Sequence, residues 1–133
     1  MNEITNSALA KAKTTCDAAL TQSKKLRHAG YYDSFGKVLY DKSRDILEPL
    51  KGEGLEEMHI LNGTAASTLE LWKRSDYLLG RMDALIMIMG KVVDLIVPEK
   101  NTGFYFLAVF DNDTPLSEVE RVRHSIIESG KVR

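Results

Sequence analysis

The residues in this chain best able to carry chemistry are three histidines and a single cysteine. His28, His59 and His124 stand far apart, with no His-x-x-x-His or Cys-x-x-Cys spacing. Glu56-x-x-His59 matches the carboxylate-histidine spacing of metal sites in helical bundles. Such sites need that motif twice, with two further carboxylates. No second copy occurs, so Glu56, Glu57 and His59 read as a solvated helical face, and neither a metal nor another cofactor is expected. Cys16 has no neighbouring base to activate it and falls on a stripe of small residues, where a free thiol packs as a small apolar group. Asp111 and Asp113 read as turn and capping residues rather than an acid/base pair. Gly52-x-Gly54 lacks both the lysine and the preceding strand of a phosphate loop. The expectation is a protein that is not an enzyme.

One cluster points to nucleic acid. Lys24, Lys25, Arg27 and His28 run directly into Tyr31 and Tyr32, which places phosphate-binding cations beside rings able to stack on bases. Two features oppose that reading. The segment that follows is acidic (Asp33, Asp41, Asp45, Glu48, Glu53, Glu56, Glu57), and cations gather at helix C-termini without any ligand. A formal net charge of -1 and a pI near 6.3 also argue against a general nucleic-acid binder. Contact through Lys24, Lys25, Arg27 and Tyr31 stands as the alternative function.

The elements that must position these groups come next. A length of 133 residues, 44 % apolar and 28 % charged, suits a single globular domain over 1–133. The lone cysteine allows no internal disulfide and points to a reducing, cytoplasmic setting. No secretory signal is visible at the start, and the most apolar run, Ala84 to Met89, is far short of the ~20 residues a membrane span needs.

Helical spacing dominates the pattern. A first helix is expected from about Ile4 to Ala29, with Leu9, Ala12, Cys16, Ala19, Ser23 and Leu26 inward and Gly30 beyond its end. Asp33 or Ser34 would cap a second helix carrying Phe35, Val38, Leu39, Ile46 and Leu47, halted at Pro49. A short helical piece from Leu55 to Leu61 would end at Asn62-Gly63. From about Thr64 to Val97, Leu61, Ala65, Thr68, Trp72, Ser75, Leu79, Met82, Ile86, Met89, Val93 and Ile96 alternate by four and three. That is a heptad seam, widened by Leu71, Leu78, Leu85 and Val92. After Pro98, Phe104 to Phe110 is rich in aromatic and β-branched residues and reads as a strand, with a buried helix as its competitor. Thr114 and Pro115 open a last helix with Leu116, Val119, Val122 or Arg123, and Ile126 inward. The expected fold is all-α or nearly so: an antiparallel helical bundle around one long helix at about 64–97, with a short extended segment at 104–110.

Tyr77-Leu78-Leu79-Gly80-Arg81-Met82-Asp83-Ala84-Leu85 resembles a short pattern in small helical proteins of tailed bacteriophages, encoded among head, packaging and connector genes. The resemblance covers about a fifth of the chain and implies a non-enzymatic accessory protein, in the host cytoplasm or the virion, that assembles with itself or with virion proteins.

The functional expectation is therefore a protein-interaction or structural component, oligomeric, working through helical coiled-coil surfaces. Trp72, Leu79, Met82, Ile86, Met89 and Val93 would carry packing, and Phe104, Phe106 and Phe110 the contact with a partner, because a strand in a helical chain has nothing of its own to pair with. A helical inhibitor or adaptor of a host complex is the third reading.

Overall fold

The computed structural model describes residues 6–44, 66–71, 73, 76–99 and 102–128. Their fold is α/β, not a helical bundle. Helix α1 (Asn6–Gln22) leads into strands β1 (Leu26–Tyr32) and β2 (Val38–Ser43). Residues 66–71 are helical, and a single turn α2 (Asp76–Leu79) follows. Strands β3 (Leu85–Ile88), β4 (Val92–Pro98) and β5 (Tyr105–Asp111) come next, then α3 (Leu116–Glu128). The strands form one sheet in the order β2-β1-β5-β4-β3, and every neighbouring pair is antiparallel.

β5 lies at the centre, Ala108 facing Ala29 of β1 on one side and Leu95 of β4 on the other. Its run is extended, as its aromatic and β-branched content predicts, but the partner strands come from the same chain. The expectation that Phe104 to Phe110 must pair with another molecule is corrected on that ground.

Alternate side chains divide the interior into two cores. On one face Ala29, Tyr31, Val93, Leu95, Val97, Phe106, Ala108 and Phe110 pack beneath α1 and α3. Ala12, Cys16 and Ala19 are the small residues that bring α1 close, and Val119, Val122 and Ile126 are the stripe of α3. On the other face Tyr32, Val92, Ile96, Tyr105, Leu107 and Val109 are packed by Ala66 and Leu69 of the helical residues 66–71.

The long helix fails for a physical reason. β4 and β5 are buried on both faces, so nearly every residue in them is apolar and no period-two alternation survives. In such a run a three-four spacing can always be picked out, and the heptad from Leu85 onward is of that kind. The chain instead breaks at Gly80, whose φ of 86° is left-handed, and turns at Met89-Gly90-Lys91 between β3 and β4. Among the described residues of the expected helix, only 66–71, residue 73 and α2 keep helical form; Thr64 and Trp72 lie outside the described residues, as do the positions 45–61 of the expected second and short helices.

The first helix stops at Gln22, not Ala29, because the following residues enter β1. Its terminal carbonyls are met by distant cations. Arg44 donates from Nη2 to Leu20 O at 2.7 Å and to Ser23 O at 3.0 Å, and Arg121 donates to Gln22 O at 3.1 Å. Asp33 and Ser34 begin the β1–β2 turn rather than a helix. The Asp33 carboxylate accepts from the backbone N–H of Phe35 (2.9 Å) and Lys37 (3.0 Å), with Gly36 at a φ of 84°. α3 matches expectation except that Leu116 is exposed.

Gly30 shows how tightly the second face is filled. The Tyr32 ring folds back over it, so a Cβ there would overlap the ring and its hydroxyl. That hydroxyl is bonded to His28 and the ring is stacked on Tyr105, with centroids 5.5 Å apart. Gly30→Ala should therefore lower stability by roughly 1–3 kcal/mol, the range for overpacking, measured as an earlier urea midpoint with an unchanged slope.

Candidate functional site: the open edge of the sheet

Among the described residues, β3 is one of the two strands at the margin of the sheet, and no strand lies on its outer side. Met89 N donates to Val92 O at 2.8 Å, which fixes the pattern of the β3–β4 ladder. In antiparallel pairing, inward and outward backbone groups alternate residue by residue. Met87 and Leu85 therefore turn their N–H and C=O towards β4, while Ile86 and Ile88 turn theirs outward from the sheet. The side chains along this edge, Ala84-Leu85-Ile86-Met87-Ile88-Met89-Gly90, include no charge. Leu85 and Met87 pack partly into the core under residues 66–71, and Ile86 into the core under α1 and α3. Ile88 is 67 % exposed and Met89 51 % exposed. Leu78 and Leu79 of α2, and Leu71 ahead of it, are exposed as well.

The other margin is built differently. β2 carries Asp41 and Lys42, both exposed, with Lys37 before the strand and Arg44 after it. Charges of this kind blunt a sheet edge against pairing with other molecules. β3 carries none of them.

The residues proposed for packing and contact are scattered by this architecture. Val93, Phe106 and Phe110 are fully interior, and Phe104 is half-buried with its ring edge-on to Tyr31 at 6.1 Å. Met82 and Ile86 are half-buried. Leu79 and Met89 reach the surface, and of this set only Ile86 and Met89 belong to the open edge. The nucleic-acid candidates do not assemble either. Lys25 is paired with Asp113 at 3.0 Å and Arg27 with Asp111 at 2.8 Å, while Lys24 is exposed. Tyr31 is buried and donates its hydroxyl hydrogen to Glu99, which also accepts from Lys11; burial and that carboxylate raise the phenol's pKa. No base could stack on it. Ile88 was the edge residue the sequence reading did not single out; a lack of charge from Ala84 to Gly90 was the signal for it.

Two reactive groups are sealed in. Cys16 is fully buried, and burial raises its thiol pKa. His28 is 3 % exposed between Ser43 Oγ on Nδ1 and the Tyr32 hydroxyl on Nε2, each at 2.8 Å, with the Asp41 carboxylate 3.9 Å from Nε2. His59 lies outside the described residues. Among the described residues no three potential ligands gather into a metal cluster, and no helix is long and apolar enough to cross a membrane. An open groove beside the β1–β2 turn is lined by Ser34, Phe35, Ala66, Ser67, Glu70, Leu71 and Lys73, with Phe35 91 % exposed at its rim.

No protein-family model matches the chain, and no curated protein does. Solved structures match it over nearly its whole length. One described as MglB with a tetrameric arrangement superposes with a TM-score of 0.71 at 20 % identity, covering 91 % of this chain and 85 % of that one. The gliding protein MglB from Thermus thermophilus gives 0.67 at 17 % identity over 90 % and 88 %. A Roadblock/LC7 domain from Streptomyces avermitilis gives 0.64 at 8 % identity over 87 % and 91 %. The shared fold is thus the roadblock/LC7 arrangement of a five-stranded antiparallel sheet between helices. The resemblance to phage head, packaging and connector proteins is overturned by these neighbours, and the phage or virion role goes with it. Tyr77 to Leu85, which carried it, is in fact the turn α2, the break at Gly80 and the first residue of β3, not one helix.

Burial holds the His28 pKa down to about 4, against 6.5 for a free imidazole, with Asp41 opposing the shift only in part. The folded protein thus favours neutral His28. Above pH 6.5 both states are neutral there and the group has no effect on stability. As pH falls from 6.5 towards 4 the unfolded chain takes up the proton first, and stability is lost by up to about 3 kcal/mol. Urea midpoints measured from pH 7 to 4.5 should fall in wild type, and the fall should flatten in His28→Gln.

Proposed function

We propose that this chain is a self-associating adaptor, a non-enzymatic protein-interaction module that pairs β3 with the same strand of a second copy. The observation that carries the reading is the uncharged β3 edge with Ile88 exposed and the backbone groups of Ile86 and Ile88 directed outward. Unpaired strand edges of this composition are templates for strand addition.

The symmetry of such a pair limits its register. A two-fold axis perpendicular to the sheet keeps each side chain on its own face. Residues facing each other across the junction must therefore share a face, and outward-directed groups must meet outward-directed groups. Ile86 against Ile88 of the second copy satisfies both conditions and sets Met87 on the axis. Each copy then contributes its five strands to a single continuous sheet. The same operation puts residues 66–71 of both copies on one side, where exposed Leu71 would gain apolar neighbours. The charged β2 edges are left at the two ends, so assembly closes at a pair rather than growing into a fibre.

Structural neighbours lend support in what their descriptions say. One, an MglB of this fold, is described in a tetrameric arrangement, which supports self-association as such and not its closing at a pair. A binding role also suits the sealed Cys16 and the hydrogen-bonded His28. The setting that goes with it is the cytoplasm.

Light scattering on a size-exclusion column tests the reading. Wild type should elute with the mass of a pair at micromolar concentration. Ile88→Lys puts a charge on the edge and should weaken pairing at least about tenfold, 1.4 kcal/mol, with an unchanged far-ultraviolet circular dichroism spectrum. A wild type that stays monomeric at every concentration would sink the proposal.

A further inference from the structure

The open edge holds two of the chain's five methionines, Met87 and Met89. Met89 is exposed, whereas Met87 is half-buried against the core packed by Ala66 and Leu69. Strand alternation puts both on the same sheet face as Leu85. In the register that sets Ile86 against Ile88, Met89 lies opposite Leu85 of the second copy and Met87 opposite itself. Both are non-hydrogen-bonded pairs, the kind whose side chains approach closest. Each copy thus contributes two thioethers to the apolar seam of the junction.

We propose that this edge is gated by oxidation: conversion of Met89 to its sulfoxide releases the two copies. The inference rests on β3 self-pairing. The oxidant is a peroxide. A sulfur lone pair attacks one peroxide oxygen, the O–O bond breaks as the S–O bond forms, and with hydrogen peroxide the other oxygen leaves as water. Sulfur loses two electrons and the peroxide gains them. The product is polar, and in the junction it would face Leu85 with no hydrogen-bond donor from that side chain. The exposure of Met89 lets oxidant reach it in the separate chain, and pairing covers it, so oxidation captures the monomer. A sulfoxide reductase reverses the step, taking two electrons and two protons from a dithiol, which becomes a disulfide, and releasing the oxygen as water.

The full-length chain is treated with limiting hydrogen peroxide, separated into monomer and dimer pools by size exclusion, and each pool is mapped by peptide mass spectrometry. Sulfoxide at Met89 should concentrate in the monomer pool, and a methionine sulfoxide reductase should return that pool to dimer. Met89→Gln, a polar side chain of similar length, should weaken pairing roughly tenfold or more without any oxidant. Equal sulfoxide at Met89 in both pools overturns the inference, as does a Met89→Gln protein that pairs as tightly as wild type. If untreated wild type never pairs, the β3 reading itself has failed; if it pairs but ignores the sulfoxide, only the gating has.

Discussion

The structure depends on β5 being paired along both sides and covered on both faces. Tyr105 to Phe110 are all buried, which requires that every backbone group in that stretch be satisfied within the sheet and that both layers of cover be present. β1 and β4 supply the pairing. α1 and α3 supply one cover, residues 66–71 the other. The order of the outer strands follows. The chain closes the β1–β2 and β3–β4 hairpins with tight turns, so β2 and β3 can only lie outside their partners, at opposite margins.

Polar groups hold the layers in place. Glu99 gathers Lys11 from α1, Tyr31 from β1 and Thr102 from the loop after β4. Ser23 donates to Glu118, joining the end of α1 to α3, and Arg44 and Arg121 hold the last carbonyls of α1. His28 links β1 to β2 through Ser43 and to its own strand through Tyr32. Each of these bonds a charged or buried polar group that would be destabilising if left unmet. Arg27 and Lys25, which in sequence look like phosphate ligands, are drawn onto Asp111 and Asp113 by the same economy.

What the sequence showed clearly was local. Ala12, Cys16 and Ala19 as the buried stripe of α1, and Val119 and Ile126 on that of α3, are set by residue type and near-neighbour spacing, while the run before Asp111 was legible as apolar and strand-like but not separable from a buried helix. What it hid was the sheet. Doubly buried strands lose their alternation, and the sums of small and branched residues from Leu85 to Val97 satisfied a helical period by abundance alone. The β-branched Ile86, Ile88, Val92, Val93, Ile96 and Val97, interrupted by Gly90-Lys91, were the contrary signal. β1 was masked by the cations at its start, which suit a helix end as well as a strand whose acidic partners are more than eighty residues away. The candidate edge was half legible: its apolar content was plain, but an edge is a property of strand order, which no single segment encodes.

The two margins of the sheet then decide what kind of assembly the fold can support. An edge strand offers the same unmet hydrogen-bonding groups whatever its side chains, so its fate is set by what surrounds them. At β2 a strand laid alongside would have to accommodate Asp41 and Lys42 on opposite faces, which suits few partners and disfavours another β2. At β3 it would meet Ile86 and Ile88 on one face and Leu85 and Met87 on the other, which suits a copy of itself. Had both edges been uncharged the molecule would polymerise, and had both been charged it would stand alone. With one of each, the proposed association would stop at a pair. In the proposed pair, the need to cover a short apolar strand would be the means by which a small domain acquires a defined partner and a wider surface.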